Sequence, residues 1–267
     1  MPEYWQDKVA IVTGGSRGLG LSIASAFAAS GAKVVIAARD SDGLARAATE
    51  LRARGADVLA VSADVTDDVQ VARLIQQTIE RYGRLDVLVN NAGRSSRGEI
   101  AATTPAEFYE LLNLNFLGTV RCTRAALPYL LNAGGHIVNI ASLSAKTASP
   151  WMGAYPASKY PVAAYSQQLR LELGPNGLHV LLVCPGPIRG GGAGRDASQA
   201  AGLPESARKP AGGAKLSTIN PDYLAKKIVR SCERRKLELV MPARARLLFA
   251  VSQLFPRTGD WILRKMT

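Results

Sequence analysis

The chain is 267 residues long, 47% hydrophobic but only 6% aromatic, with a formal net charge of +12. That length suits one α/β domain with a core of Ala, Val, Leu and Ile rather than rings, and leaves too little chain for a second domain. The positive balance suits an anionic partner, such as a phosphorylated cofactor, an acidic carrier protein or anionic lipid; no basic stripe interleaved with aromatics points to nucleic acid, and no apolar run is long enough to span a bilayer.

The first strand-like run, Lys8 to Thr13 (KVAIVT), leads directly into Gly14-Gly15-Ser16-Arg17-Gly18-Leu19-Gly20 and then an Ala-rich helical pattern from Leu21 to Ser30. Strand-like sequence this early leaves no room for a signal peptide, which predicts a cytoplasmic protein. Lys33 to Ala38 (KVVIAA) is a second strand, so the glycines open the first turn of a β–α–β unit. In that context glycines let the backbone approach a pyrophosphate and the helix N-terminus receives its charge, which makes Gly14, Ser16, Arg17, Gly18, Leu19 and Gly20 candidate cofactor residues.

The end of the second strand selects the cofactor. An acidic side chain there accepts from the ribose hydroxyls of NAD. Here Arg39 follows Ala38, and with Arg17 it can pair with a 2′-phosphate, which favours NADP(H) over NAD(H). Asp40, turned inward, would return ground to NAD. A helix over Gly43 to Arg54 and a third strand over Asp57 to Ser62 lead to Asp64-Val65, where the carboxylate either meets the adenine amino group or caps the helix predicted from Thr66 to Tyr82. The fourth strand, Leu85 to Val89, runs into Asn90-Asn91-Ala92-Gly93, whose small residues and amides can face a cofactor and also tie neighbouring strands together.

Pro105 to Leu131 reads as mostly helical and carries Asn113 and Asn115, two amides that need partners if buried. The fifth strand, Gly135 to Ile140, leads to Ser142 at the sheet edge where open parallel sheets bind ligands. In the stretch SLSAKTASPWMGAYPASK that follows, Tyr155 and Lys159 are four apart, on one face of a helix that continues to Leu173. A nearby ammonium favours the phenolate, so such a tyrosine can exchange a proton near neutral pH without a metal. Pro161 interrupts the backbone bonding of this helix. The sixth strand, His179 to Val183, leads to Cys184-Pro185-Gly186-Pro187-Ile188; Arg189 to Lys215, rich in Gly, Ala, Ser and Pro, reads as a mobile substrate loop. A helix over Pro221 to Arg234 and a seventh strand over Leu237 to Met241 complete a doubly wound sheet of about seven parallel strands, a Rossmann-type domain spanning 1–242. Cys122, Cys184 and Cys232 lack metal spacing and read as reduced, buried small hydrophobes, and His136 and His179 as packed side chains, so no metal site is expected.

In the tail, 243–267, Leu247, Leu248, Val251, Leu254 and Phe255 recur at helical spacing among Arg244, Arg246, Arg257, Arg264 and Lys265. This predicts an amphipathic element that packs on protein, over the pocket or a partner subunit, with a membrane surface as the second choice.

Over residues 8 to about 242 these motifs resemble the short-chain dehydrogenase/reductase family: the glycine turn from Thr13 to Gly20, Asn90-Asn91-Ala92-Gly93, Asn115 (with Asn113 the second candidate), Ser142, Tyr155 and Lys159, and Pro185-Gly186. The resemblance implies hydride transfer between a nicotinamide and a carbonyl or alcohol. It implies Tyr155 as acid or base, Lys159 lowering its pKa and holding the nicotinamide ribose, Ser142 orienting the carbonyl, and Asn115 anchoring a water. Asn91, Ala92, Gly93, Pro185, Gly186 and the backbone of Ile188 join the cofactor set, and a homodimer or homotetramer is implied through the helices near 105–131 and 155–173. The family's usual Thr after Pro-Gly is absent; Ile188 is followed by Arg189, so either Arg189 contacts the pyrophosphate instead or the loop orders only with ligand. Ser144, Pro150, Trp151 and Met152 suggest an apolar, partly aromatic pocket for a hydrophobic ketone or aldehyde. An oxoacyl group on an acidic carrier, or a catalytically silent NADP-binding regulator, are the alternative readings.

Overall fold

A computed structural model describes residues 4–190, 202–208 and 216–266. Most of the predicted loop 189–215 therefore lies outside the described residues. Seven strands, β1 (Val9–Thr13), β2 (Lys33–Ala38), β3 (Val58–Ser62), β4 (Val87–Asn90), β5 (His136–Ile140), β6 (His179–Pro185) and β7 (Glu238–Met241), form one sheet. Its order is β3-β2-β1-β4-β5-β6-β7, and every pairing is parallel.

The central strands are buried on both faces because helices cover both. Side chains alternate across the sheet, so Ala10 and Val12 of β1 join one core cluster and Val9 and Ile11 the other. The first cluster packs under α1 (Gly18–Ala29), α2 (Ser41–Ala53) and the later helix Pro221–Glu233. The second packs under α3 (Asp68–Tyr82), α5 (Gly118–Asn132) and α6 (Tyr155–Leu173), with α4 (Pro105–Leu112) set against α6. A short turn α7 (Glu205–Arg208) precedes Pro221–Glu233, which is α8. The tail folds as two helices, α9 (Ala245–Leu254) and α10 (Pro256–Met266).

Three local differences from the sequence expectation bear on the site. Helix α1 begins at Gly18, inside the glycine turn rather than at Leu21, because Gly14 and Gly18 adopt left-handed φ values of 64° and 56° and turn the chain within a few residues. The helix predicted over Pro105 to Leu131 is broken by a π-turn, Asn113–Leu117, whose widened bonding rotates Asn115 inward. Pro161 is accommodated inside α6 without ending it. Among the described residues no helix is long and apolar enough to cross a membrane.

Candidate active site

The sheet order reverses between β1 and β4, and the crevice beyond their C-terminal ends is where open parallel sheets bind ligands. The glycine turn fills the β1 side. A Cβ on Gly20 would lie 2.1 Å from the Gly14 carbonyl oxygen and 2.6 Å from Asn91 Nδ2, so only glycine lets α1 start this close to β4. At Gly18 a Cβ would meet nothing within 4 Å, leaving open space over the turn. No side chain caps α1 and its first turn holds no acid, whereas Asp40 and Asp67 cap α2 and α3. The first N–H groups of α1 are thus offered to an anion, and the cradle fits a pyrophosphate-bearing cofactor.

The amides after β4 do structural work. Asn91 Nδ2 donates to the carbonyls of Thr13 and Gly14 at 2.9 and 3.2 Å, and the Asn91 and Ala92 N–H groups donate to Thr13 Oγ1. Asn90 donates to Asn139 and Thr123, stitching β4 to β5 and α5.

At the end of β2, Arg39 is exposed and forms an ion pair of 3.5 Å with Asp64. Asp40 does not turn inward: its carboxylate accepts from the Gly43 N–H as the cap of α2. Asp64 accepts from the backbone and hydroxyl of Thr66 at 2.9 and 2.8 Å. Burial alone would raise its pKa, but the Thr66 hydrogen bonds and Arg39 together lower it. One oxygen thus holds the turn before α3 and the other faces Arg39; Asp64 is not the helix cap, because α3 begins at Asp68 and Asp67 caps it. The Val65 side chain is buried in the core against Gly118, which leaves only its backbone for a cofactor.

Ser142 ends the segment after β5; its Oγ accepts from the Ser144 N–H at 3.1 Å, which orients the hydroxyl for its own donation. Tyr155 is the first residue of α6, and Lys159 lies one turn further on. Lys159 is 6% exposed, and its Nζ donates to the Ile140 carbonyl at 2.9 Å. Among the described residues no carboxylate pairs with it, and burial lowers its pKa to about 8. A buried cation without a counter-charge is a mark of a working site rather than of stability.

Gly93 joins Lys159 to Asn115: a Cβ there would stand 2.7 Å from Asn115 Oδ1 and 3.6 Å from Lys159 Nζ. Asn115 is held on every side. Its Oδ1 accepts from the Arg94 N–H, and its Nδ2 donates to the Arg94 carbonyl and to Ser158 Oγ at 2.9 and 2.8 Å. Its main-chain carbonyl accepts from Thr119 Oγ1 at 3.2 Å; this oxygen and Oδ1 each keep a lone pair for a water. Asn113 instead accepts from Arg121 Nη1, away from Lys159. After β6, the Gly186 N–H donates to the Met241 carbonyl, and Ile188 bridges to Ile219; Arg189 is exposed.

A cavity of about 610 Å³ is walled by Ile100, Phe108, Pro150, Trp151, Met152 and Pro156, with Leu263 and Arg264 of α10 beside them; Ser142, Tyr155 and Lys159 are not among its lining residues. Ser144 is not part of its wall; it supports Ser142 instead. Trp151 carries a left-handed φ of 63°, unusual for a large side chain. The Gly98 N–H donating to the Trp151 carbonyl and the Gly153 N–H donating to the Gly98 carbonyl clamp it there.

Sequence reasoning missed Ser158 and Thr13. Ser158 Oγ accepts from Asn115 and donates to the Tyr155 carbonyl at 2.7 Å, tying the π-turn to the start of α6. Thr13 Oγ1 donates to the Val89 carbonyl while accepting two N–H bonds. Small hydroxyl residues at a strand end and inside the first turn of a helix are the only trace of these roles in the sequence.

The two histidines lie at the opposite end of the sheet in a satisfied chain. Tyr4 meets His136 Nε2, His136 Nδ1 meets His179 Nδ1 at 2.8 Å, and His179 Nε2 meets the Lys236 carbonyl. Burial lowers the His136 pKa to about 3, so both rings pack as neutral groups, as expected. The three cysteines are buried.

A family model described as short chain dehydrogenase matches residues 8–200. The chain belongs to the short-chain dehydrogenase family. It is 34% identical over 264 residues to a ketoacyl reductase, HetN, of Nostoc sp., covering 96% of this chain and 88% of that protein. It is 34% identical to an 11-beta-hydroxysteroid dehydrogenase A of Sesamum indicum, covering 97% of this chain and 75% of that one. Among solved structures, an actinorhodin polyketide ketoreductase variant with NADPH matches with a TM-score of 0.81 and 30% identity, over 92% of this chain and 99% of that chain. A short-chain dehydrogenase/reductase from Burkholderia phymatum in complex with NAD matches equally well, with a TM-score of 0.81 and 27% identity, over 94% and 96%. As a short-chain dehydrogenase this chain is an NAD(P)-dependent oxidoreductase with a Rossmann-like, all-parallel sheet.

Proposed function

We propose that this short-chain dehydrogenase uses NADP(H) and reduces an apolar ketone or aldehyde, with Tyr155 as the proton donor. The observation that carries the reading is Lys159, a buried ammonium without a carboxylate partner among the described residues, one helical turn from Tyr155. The bound nicotinamide supplies the hydride. Tyr155 gives its phenolic proton to the carbonyl oxygen, or takes one from an alcohol in reverse. The Lys159 ammonium favours the phenolate and holds the ribose hydroxyls, Ser142 donates a hydrogen bond to the substrate oxygen, and the main chain of Asn115 holds the water that relays protons from Lys159. Gly14, Ser16, Arg17, Gly18, Leu19 and Gly20 cradle the pyrophosphate. Asn91, Ala92, Gly93, Pro185, Gly186 and Ile188 line the nicotinamide side, and Asp64 and Val65 the adenine side. Trp151 and Met152 offer the apolar wall for the substrate.

Arg39 and Arg17 support the phosphorylated cofactor. Both are exposed at the crevice, and the two nearby carboxylates are already engaged, Asp40 by its cap and Asp64 by Thr66 and Arg39. A carrier-linked oxoacyl group is the second substrate reading; the net charge of +12 and the ketoacyl reductase among the relatives favour it. Fluorescence titration of wild type and Arg39→Ala with NADPH and NADH tests the cofactor. We expect wild type to prefer NADPH by at least about tenfold and the variant to lose most of that margin, since a charge-assisted pair contributes ~1.5–3 kcal/mol. Equal affinity of wild type for the two cofactors would mean that Arg39 serves only Asp64.

A further inference from the structure

The inward face of the tail is accounted for by the fold. Ala245 and Phe249 of α9 are buried in a small core cluster with Val240 and Cys184. Helix α10 folds back across α9 at Gly259, where a Cβ would lie 2.6 Å from Ser252 Cα, so the two helices touch backbone to backbone. Leu263 and Arg264 roof the cavity beside Trp151.

The outward face is not. Leu247 is 72% exposed, Leu254 73%, Phe255 62% and Trp261 54%. Leu247, Ala250 and Leu254 follow one another at helical spacing on the exposed side of α9, and Phe255 and Trp261 continue the apolar surface across the bend into α10. The hairpin carries Arg244, Arg246, Arg257, Arg264 and Lys265 against one acid, Asp260; Arg264 and Asp260 line the cavity and Arg246 pairs with Glu238 at 3.9 Å, which leaves Arg244, Arg257 and Lys265 to border this face. Lys265 Nζ lies 4.4 Å from the centre of the Trp261 ring, so a cation borders the largest apolar group directly.

From this combination we infer that the α9–α10 hairpin docks on an anionic lipid surface, with Leu254, Phe255 and Trp261 entering the boundary between headgroups and acyl chains. Apolar side chains on one exposed face and cations at its rim are what such a surface binds. Pairing of this face with a second copy of itself across a two-fold axis would set the arginines of one hairpin against those of the other, a like-charge arrangement that opposes association. The packing on protein expected first from the sequence is seen on one face of the hairpin; the other face is the one assigned to lipid. The inference does not depend on the choice of substrate or cofactor.

Co-sedimentation of the full chain with phosphatidylcholine vesicles, with and without about a third phosphatidylserine, tests it. Wild type should bind the anionic vesicles at least about tenfold more tightly than the neutral ones, and weaken as salt is raised. The variant Leu254→Ser/Trp261→Ser should lose most of this binding while keeping wild-type NADPH affinity and circular dichroism, which separates a lost surface from a lost fold. Arg244→Glu/Arg257→Glu should lose it by charge alone. Failure of wild type to bind anionic vesicles at low salt would overturn the inference, as would undiminished binding by the Leu254→Ser/Trp261→Ser protein. A dimer abolished by that same double substitution would also overturn it, by giving the face to a second copy.

Discussion

At neutral pH the Lys159 ammonium sits where burial disfavours it, with the Ile140 carbonyl as its hydrogen-bond partner. Its pKa is lowered from 10.5 to about 8, and the native state therefore carries a penalty of roughly 3 kcal/mol at pH 7, at about 1.4 kcal/mol per pH unit. The sign follows from proton counts. Below about pH 8 both folded and unfolded chains hold the proton and the full penalty is present. As the pH rises toward 10.5 the native lysine releases its proton first, so the penalty is shed and stability gains. Lys159→Met should accordingly abolish turnover yet unfold at higher urea than wild type at pH 7, by ~1–3 kcal/mol after the lost hydrogen bond is counted, with the gap closing by about pH 10. A variant less stable than wild type at pH 7 would contradict this account of the site. That Tyr155 and Lys159 lie one turn apart on one helix was legible in the sequence because their spacing is local. The choice of Asn115 over Asn113 was open from spacing alone. The π-turn points the Asn115 amide at Arg94 and Ser158 and the Asn113 amide at Arg121.

The elements were legible where the signal is a run of one kind. Seven apolar stretches gave seven strands because a parallel sheet buried on both faces needs no alternation. The π-turn was not legible, since one added residue in a helical turn barely disturbs an apolar period. Nor was the start of α1 at Gly18, because glycines carry no helical pattern of their own. The left-handed φ of Trp151 was equally hidden; it depends on backbone bonds to Gly98, which lies far away in sequence. The glycine turn carries a prediction at this scale. Gly20→Ala forces its Cβ against Gly14 and Asn91, at 2.1 and 2.6 Å, and should cost about 1–3 kcal/mol of stability and at least about tenfold in NADPH affinity. Calorimetry and cofactor titration check it together; a Gly20→Ala protein with unchanged affinity would show that the cradle does not set the cofactor site.

For the whole molecule, the sequence announced one doubly wound domain with a basic, amphipathic tail, and it did not announce how the tail divides its faces. That division depends on the crossing of α9 and α10 at Gly259, a long-range contact without a periodic mark. Assembly belongs to this scale too. Tyr109, Leu117, Tyr129, Tyr160 and Leu171 are exposed on α4, the π-turn, α5 and α6, a surface suited to pairing copies of the chain. Light scattering should give a dimer or tetramer, and Tyr109→Glu/Leu171→Glu should weaken it; a wild-type monomer at micromolar concentration would leave these residues without that role. The most direct test of the central claim is a single turnover with NADPH already bound, comparing wild type with Tyr155→Phe on a panel of apolar ketones. Both proteins should bind NADPH alike, and the variant should consume it ~10²–10⁴-fold more slowly. A Tyr155→Phe enzyme that consumes NADPH at the wild-type rate would contradict the account, because the proton would then come from elsewhere.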